Sequence, residues 1–189
     1  MSQRIRTSKT VTGTTHYYTL NGSQILTEQF GNIFIVYLYD ESGSPIGMQY
    51  RTNSMAEGTF YTYLFEKNLQ GDIIAVYNTS GTKLISYVYD AWGNVTVTNH
   101  NVSGTNSGAR HNPFRYRGYY YDTETGYYYL QSRYYNPKWG RFISPDSFDI
   151  IGSTTDDLYD NNLYSYCDNN PVMRVDDGGK FWNFIIGGV

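Results

Sequence analysis

A short pattern of aromatic and polar positions recurs along the chain. Each copy places a tyrosine before Asp or Asn, continues with a few polar residues and Gly, and ends in a run of β-forming residues. The copies span residues 37–50, 76–89, 87–98 and 119–135. Asp and Asn side chains accept hydrogen bonds from the backbone two residues further on, and Gly adopts positive φ at little cost. The pattern therefore predicts antiparallel β-hairpins with these residues in the turns.

The segment 127–135 is especially rich in tyrosine. Taken as one strand, it directs residues 127, 129, 131, 133 and 135 to one face and residues 128, 130, 132 and 134 to the other. Both faces then carry tyrosine rings, which pack well while their hydroxyl groups need water or a partner. We interpret this as a sheet with two partly solvated faces, which is typical of a wall between two aqueous compartments.

Composition favours an all-β fold class. Aromatic residues make up 18% of the 189 residues and charged residues only 16%, whereas disordered chains are poor in aromatics. Long stretches of helix-forming residues are absent, while Tyr, Thr, Val and Ile are common. We therefore expect an all-β protein, and the repeated hairpins predict that its antiparallel strands form a spiralling sheet.

Charge and hydropathy exclude several classes of partner. The net charge is −3 and no Lys/Arg cluster is present, so we expect no nucleic-acid partner. The apolar segment 181–189 has nine residues, which is too short to span a bilayer. The first residues lack the apolar region of a signal peptide, so we expect any export to depend on a larger parent protein.

The residue types that bind metals or act as nucleophiles form no convincing cluster. Cys167 is the only cysteine, which excludes an intramolecular disulfide and favours a small buried side chain. The three histidines lack the spacing of metal ligands. A calcium site at Asp40, Asp90 and Asp122 is an alternative to turn formation, but these residues lack EF-hand spacing. We predict no cofactor and no metal.

Two longer stretches carry a family resemblance. "FRYRGYYYDTETGYYYLQSRYYNPKWGRFISPDSF" (114–148) and "NLYSYCDNNPVMRVDDGGKFW" (162–182) closely resemble the Rhs repeat-associated core, the C-terminal end of bacterial Rhs and YD-repeat proteins. The resemblance implies a hollow shell of β-hairpins, as in Rhs toxins, the C component of Tc toxins and the teneurins, with this core as a plug. It divides the chain into degenerate YD-repeat hairpins (1–98), a Gly/Ser/Asn-rich loop (99–111), the Rhs core (112–182) and the start of a truncated C-terminal extension (183–189).

The resemblance also implies a function and partners. In bacterial members a variable effector, often a toxin, follows the core and is held inside the shell. We therefore expect an encapsulation or delivery element that is secreted or reaches the cell surface through its parent protein. Its partners would be upstream shell segments and a downstream effector. Since the sequence stops seven residues after Trp182, we expect this chain not to be a toxin by itself. The alternative is a secreted carbohydrate-binding or adhesive module that uses Trp92, Trp139 and Trp182 to bind cell-surface glycans.

In many relatives the core resembles an aspartyl protease that cuts its own chain once, after an Asp-Pro-x-Gly-Leu ending. Carried over to this sequence, the two catalytic residues would be Asp146 and Asp176. Two close carboxylates share a proton, so that one activates water while the other protonates the leaving group.

This chain departs from that ending. Ser147 and Asp177 replace the two Pro residues, and Lys180 replaces Leu before the cut. A single-turnover protease and a non-cleaving plug with Asp146 and Asp176 in turns both remain open. Arg133 or Arg141 would either orient a catalytic carboxylate, or form a structural ion pair or a stack on Trp139 or a neighbouring Tyr.

Overall fold

The computed structural model describes residues 5–145, 162–177 and 181–184. Within these ranges the regular structure consists of antiparallel strands and short 3₁₀ turns, which confirms the predicted all-β class. The chain forms two compact units. One contains residues 4–88 and 95–118, and the other contains residues 1–3, 89–94 and 119–189. No helix in the described ranges has the length and apolar character needed to cross a membrane.

The first unit is built on a nine-stranded sheet in which each strand pairs with the next one in sequence. The strands are β1 (Ser8–Val11), β2 (Thr14–Asn21), β3 (Gln24–Phe30), β4 (Ile33–Tyr39), β5 (Pro45–Thr52), β6 (Tyr61–Lys67), β7 (Ile73–Asn78), β8 (Lys83–Tyr89) and β9 (Val95–Asn99). This order is a continuous series of hairpins, as the repeated pattern predicts.

Four of the turns share one hydrogen-bond scheme, which begins at Asp40, Asn68, Asn78 and Asp90. In each, a side-chain oxygen of the first residue accepts hydrogen bonds from the backbone amides two and four residues later. The fourth residue is Gly with φ between 79° and 86°, a conformation that residues with a β-carbon rarely adopt. Three of these turns were predicted from the sequence, whereas the turn at Asn68 was missed because Lys67 precedes it instead of tyrosine.

One face of the nine-stranded sheet is buried. The strand register places a row of buried residues on this face, namely Tyr18, Ile35, Tyr37, Met48, Tyr50, Tyr63, Val76, Ile85 and Tyr87. On the opposite face, Tyr17, Leu64 and Val88 are 63%, 46% and 67% exposed. The sheet therefore has one covered and one open face.

Residues 104–118, here called the covering segment, lie against the buried face. The segment begins with a 3₁₀ helix, Gly104–His111. The Tyr63 hydroxyl donates a hydrogen bond to the carbonyl oxygen of Thr105 (2.7 Å), and burial raises the pKa of Tyr63 to about 12. A β-carbon at Gly108 would lie 2.6 Å from the Tyr50 ring, so only Gly permits this close approach.

Aromatic contacts extend along the rest of the covering segment. The His111 ring stacks on Tyr50 with centroids 5.4 Å apart, and Phe114 meets Tyr37 edge-on at 4.9 Å. The interpretation of two partly solvated faces is therefore wrong for this sheet. Tyr37, Tyr50 and Tyr63 are buried beneath the covering segment, and the hydroxyl groups of Tyr37 and Tyr63 donate hydrogen bonds within the protein.

The second unit contains two small antiparallel sheets. The first consists of β10 (Tyr120–Asp122), β11 (Tyr127–Leu130), β12 (Arg133–Asn136) and β13 (Arg141–Phe142), and the second of β14 (Arg174–Asp177) and β15 (Phe181–Phe184). A 3₁₀ turn, Cys167–Asn169, precedes β14.

The single strand predicted over 127–135 is wrong. Gln131 and Ser132 form a two-residue loop between β11 and β12, and Gln131 has φ of 59°. Tyr128 and Tyr135 are directly opposite each other and share one face, where both are fully buried. The sequence concealed this hairpin because its loop lacks the Asn-Gly or Asp-Gly pair that marks such turns.

Candidate functional site

Asp176 is the predicted site residue that the structure describes. It lies on β14, opposite Trp182 of β15, and only 3% of the residue is exposed. A charged carboxylate at such a position requires a nearby cation or several hydrogen-bond donors. Its surroundings therefore decide what it can do.

Arg133 supplies the cation. Its guanidinium Nη2 lies 3.5 Å from Oδ2 of Asp176. The guanidinium carbon also lies 3.6 Å from the ring centre of Phe142, and Nη1 donates a hydrogen bond to the carbonyl oxygen of Leu163 (3.2 Å). Arg133 thus forms both an ion pair and an aromatic stack, although with Phe142 instead of the predicted Trp139 or Tyr. Arg141 is exposed and forms no ion pair with any carboxylate among the described residues.

Buried tyrosines support the strand that carries Asp176. The Tyr119 hydroxyl donates a hydrogen bond to the backbone carbonyl of Asp176 (2.6 Å) and accepts one from the Tyr166 hydroxyl (3.4 Å). The Tyr166 ring lies 4.1 Å from the Tyr135 ring, between centroids, and both residues are fully buried. The tyrosine-rich stretch is therefore a packed aromatic cluster that anchors the backbone of β14.

Of the proposed carboxylate pair, the structure describes Asp176 and not Asp146. Asp146 and Lys180 lie outside the described residues, and so does the side chain of Asp177. An ion-paired carboxylate accepts hydrogen bonds, and acid–base chemistry on the aspartyl pattern needs a second carboxylate beside it. The dyad of Asp146 and Asp176 remains a prediction.

The other candidates occupy structural positions. Cys167 is buried and forms no disulfide, and within the described ranges no three His, Cys, Asp or Glu residues come close enough to hold a metal ion. Asp40 and Asp90 close turns, and the Ser42 hydroxyl, together with the Ser44 amide, lowers the pKa of Asp40. Asp122 is buried at a turn where its carbonyl oxygen accepts hydrogen bonds from the following backbone.

A buried polar network in the first unit was not found from the sequence. Glu28 is 3% exposed, accepts a hydrogen bond from the Tyr37 hydroxyl (2.5 Å) and lies 2.6 Å from Nδ1 of His16. Burial, together with the Glu28 charge, raises the pKa of Tyr37 well above its usual value. Only the strand register could have revealed this network, because Glu28 lies opposite Ile35 and therefore shares its covered face.

Trp92 and Trp139 come together at one cleft of the second unit, with a volume of about 280 Å³. Trp139 is 68% exposed there. The side chain of Trp182, the third residue of the predicted platform, lies outside the described residues.

The sequence matches the family described as Teneurin YD-shell over residues 10–172. This chain belongs to the teneurin YD-shell family. The match spans both units and confirms the resemblance to YD-repeat and Rhs proteins.

Several curated relatives of this YD-shell chain are much longer proteins. The tRNA3(Ser)-specific nuclease WapA of Bacillus spizizenii is 40% identical over 182 residues, which cover 94% of this chain and 7% of that protein. The double-stranded DNA deaminase toxin A of Burkholderia cenocepacia is 35% identical over 99 residues, which cover 52% of this chain and 6% of that protein. The chain therefore spans only a small part of the length of these two relatives.

Solved structures share the fold. The crystal structure of TcdB2-TccC3-Cdc42 superposes with a TM-score of 0.66 at 23% identity and covers 88% of this chain and 8% of that one. The Photorhabdus luminescens Tc holotoxin pore gives a TM-score of 0.62 at 20% identity and covers 96% of this chain and 8% of that one. The hairpin series is thus a YD-shell fold.

Proposed function

We propose that this chain forms part of a YD-repeat shell that houses and delivers a C-terminal effector of a longer parent protein. The observation that carries the proposal is the nine-stranded sheet of sequential hairpins. Four of its turns are held by hydrogen bonds between a side chain and the backbone of the same turn. Arrays of this kind grow by adding neighbouring units. The family membership and the relatives named as a nuclease and a deaminase toxin support the same role. The proposal includes that the parent protein is secreted or reaches the cell surface.

Within this function we assign Asp176 a clamping role. The carboxylate pairs with Arg133, and the backbone at the same residue accepts a hydrogen bond from Tyr119. Together these contacts tie β14 to the tyrosine-rich hairpin. Self-cleavage by Asp146 and Asp176 is the second candidate role. The burial of Asp176 favours this role, because catalytic carboxylates are commonly desolvated.

Limited proteolysis of the parent protein tests encapsulation. The parent protein and its downstream domain expressed alone would be digested side by side with a non-specific protease. We expect the downstream domain to be cut much more slowly inside the parent protein, because a shell excludes the protease. A parent protein that lacks residues 1–98 serves as the control and should lose the protection. Equal digestion of the domain in all three proteins would contradict the proposal.

A further inference from the structure

A cleft of the second unit combines an exposed aromatic face with polar groups. Its lining includes Trp92, Asn94, Lys138, Trp139, Arg141 and Asn169. The Trp92 indole packs against the turn at Gly140, where a β-carbon would lie 2.8 Å from indole Cε3. The Gly in this turn therefore lets Trp92 form the base of the cleft, while Trp139 extends into solvent.

The polar groups of the cleft retain hydrogen-bonding capacity. Nδ2 of Asn94 donates hydrogen bonds to Oδ2 of Asp90 (2.7 Å) and to the carbonyl oxygen of Pro137 (3.2 Å). Oδ1 of Asn94 receives no hydrogen bond within the described part of the chain, so it can accept one from a ligand. Lys138 and Arg141 are exposed, and neither pairs with a carboxylate of the described residues.

The backbone beside the cleft is strained. Cys167, Asp168 and Asn169 have φ of 50°, 50° and 58° in succession. This left-handed conformation is unfavourable for residues that carry a β-carbon, and strained backbone of this kind is concentrated at functional sites. Asn169, which lines the cleft, is the last of the three.

We propose that this cleft binds an acidic saccharide. A sugar ring would lie on the apolar face of Trp139, its carboxylate would pair with Lys138 and Arg141, and its hydroxyl groups would donate to Oδ1 of Asn94. A nucleic acid is less favoured, because the cleft offers only Lys138 and Arg141 and the sequence has no Lys/Arg cluster of the kind that neutralises a run of backbone phosphates. The proposal does not depend on encapsulation.

Isothermal titration calorimetry of the whole 189-residue chain tests the site. The probes are trigalacturonic acid, the neutral trisaccharide maltotriose and a single-stranded trinucleotide. We expect trigalacturonic acid to bind at least about tenfold more tightly than either of the others, a difference of about 1.4 kcal/mol. Trp139→Ala should weaken this binding at least about tenfold, whereas Trp139→Phe should retain most of it because an aromatic face remains.

Charge variants test the acidic group separately. Lys138→Gln and Arg141→Gln should each weaken trigalacturonic acid several-fold, while Arg110→Gln, an exposed cation of the other unit, should have no effect. Circular dichroism checks that each variant is folded. If Trp139→Ala unfolds, the binding of Trp139→Phe and of the charge variants tests the proposal instead. The proposal is overturned by absence of binding, by equal binding of maltotriose, by tighter binding of the trinucleotide, or by an Arg110→Gln effect equal to that of Arg141→Gln.

Discussion

At the scale of single residues, the predicted site residue Asp176 forms a deeply buried ion pair with Arg133. Their side chains are 4% and 6% exposed. Removing one partner of such a pair leaves an uncompensated charge in a poorly solvated place, which is costly even where the intact pair adds little stability. The clamp thus makes β14 dependent on a residue far away in sequence.

Asp176→Asn should destabilise the chain markedly. We expect the free energy of unfolding to fall by about 3 kcal/mol, because the buried Arg133 guanidinium then loses the charge of the Asp176 carboxylate. Urea denaturation followed by circular dichroism measures the change. Asp168→Asn is the matched control, since Asp168 pairs with Arg174 at the surface with its side chain 59% exposed, and it should cost less than about 1 kcal/mol. Equal effects of the two substitutions would contradict the clamp.

Self-cleavage can be tested in the parent protein. We expect the wild-type protein to remain intact on a denaturing gel, because Asp177 and Lys180 alter the segment that relatives cut. A pocket for Leu would disfavour the ammonium group of Lys180. The double change Asp177→Pro with Lys180→Leu is the complementary experiment. If it restores a cut that Asp146→Asn or Asp176→Asn abolishes, the dyad exists and the clamping role is incomplete.

Local chemistry explains which residues could be predicted from the sequence. The roles of Asp40 and Asp90 depend on backbone groups within four residues, so the sequence pattern contains the necessary information. Asp176 depends on Arg133, and Glu28 depends on strand register, and neither relationship is visible in a local pattern. The family resemblance identified Asp176 as important but did not reveal its partner.

At the scale of elements, the repeated turn is the unit that makes each hairpin. At Asn78, a single side-chain oxygen accepts hydrogen bonds from the backbone amides of both Ser80 (3.2 Å) and Thr82 (2.9 Å). The loop at Gln131 and Ser132 lacks such a side chain, and tertiary burial of the flanking tyrosines fixes it instead. Turns of the first kind carry their signal in the local sequence, and the one at Asn68 was missed only because the pattern required a preceding tyrosine, whereas turns of the second kind carry no such signal.

Asn78→Ala should weaken the β7–β8 hairpin. The substitution removes the acceptor of two backbone amides, and we expect a loss of about 1–2 kcal/mol in the free energy of unfolding. Asn78→Asp is the control, since Asp40 and Asp90 occupy the same place in equivalent turns. Chemical denaturation measures both variants. An Asp variant as unstable as the Ala variant would mean that the side-chain oxygen is not what stabilises the turn.

The covering segment should make stability depend on pH. Burial lowers the pKa of His111 below 6.5, with the Glu28 charge opposing the shift and His16 and Arg110 adding to it. The unfolded chain therefore binds a proton more readily, so this contribution to stability is complete above pH 6.5 and declines as the pH falls towards the lower folded-state pKa.

His111→Phe keeps an aromatic ring against Tyr50 and removes the titration. We expect the wild type to lose more stability than this variant between pH 7 and pH 5, as measured by thermal unfolding across that range. His100→Phe is a control, because His100 is exposed and contacts the Ser86 hydroxyl. Parallel pH profiles for the wild type and His111→Phe would exclude His111 as the cause.

At the scale of the whole chain, β1 and β9 are the two ends of the nine-stranded sheet. End strands offer backbone groups to any further strand, and charged residues on them discourage pairing between molecules. In the proposed shell, the end strands would pair with neighbouring segments. In the isolated chain, we expect them to pair with other copies of the chain instead.

The isolated chain should therefore self-associate. Sedimentation velocity over a range of concentrations should give an average mass that rises with concentration, and Val97→Lys on β9 should reduce the rise. Val88→Lys is the matched control, because Val88 is exposed on the open face of β8, which is paired on both sides and is not an end strand. A chain that stays monomeric throughout, or equal effects of the two lysines, would contradict pairing through the ends.

The position of the covering segment in the sequence affects how the protein can be made. A ribosome releases the chain from its N-terminus at about 5–20 residues per second, so β1–β9 emerge before residues 104–118. During this interval, on the order of seconds, the face with Ile35, Met48 and Tyr63 has no cover. An uncovered apolar sheet is prone to aggregate, so nascent chains of this protein should bind chaperones until Gly118 emerges and then lose that affinity.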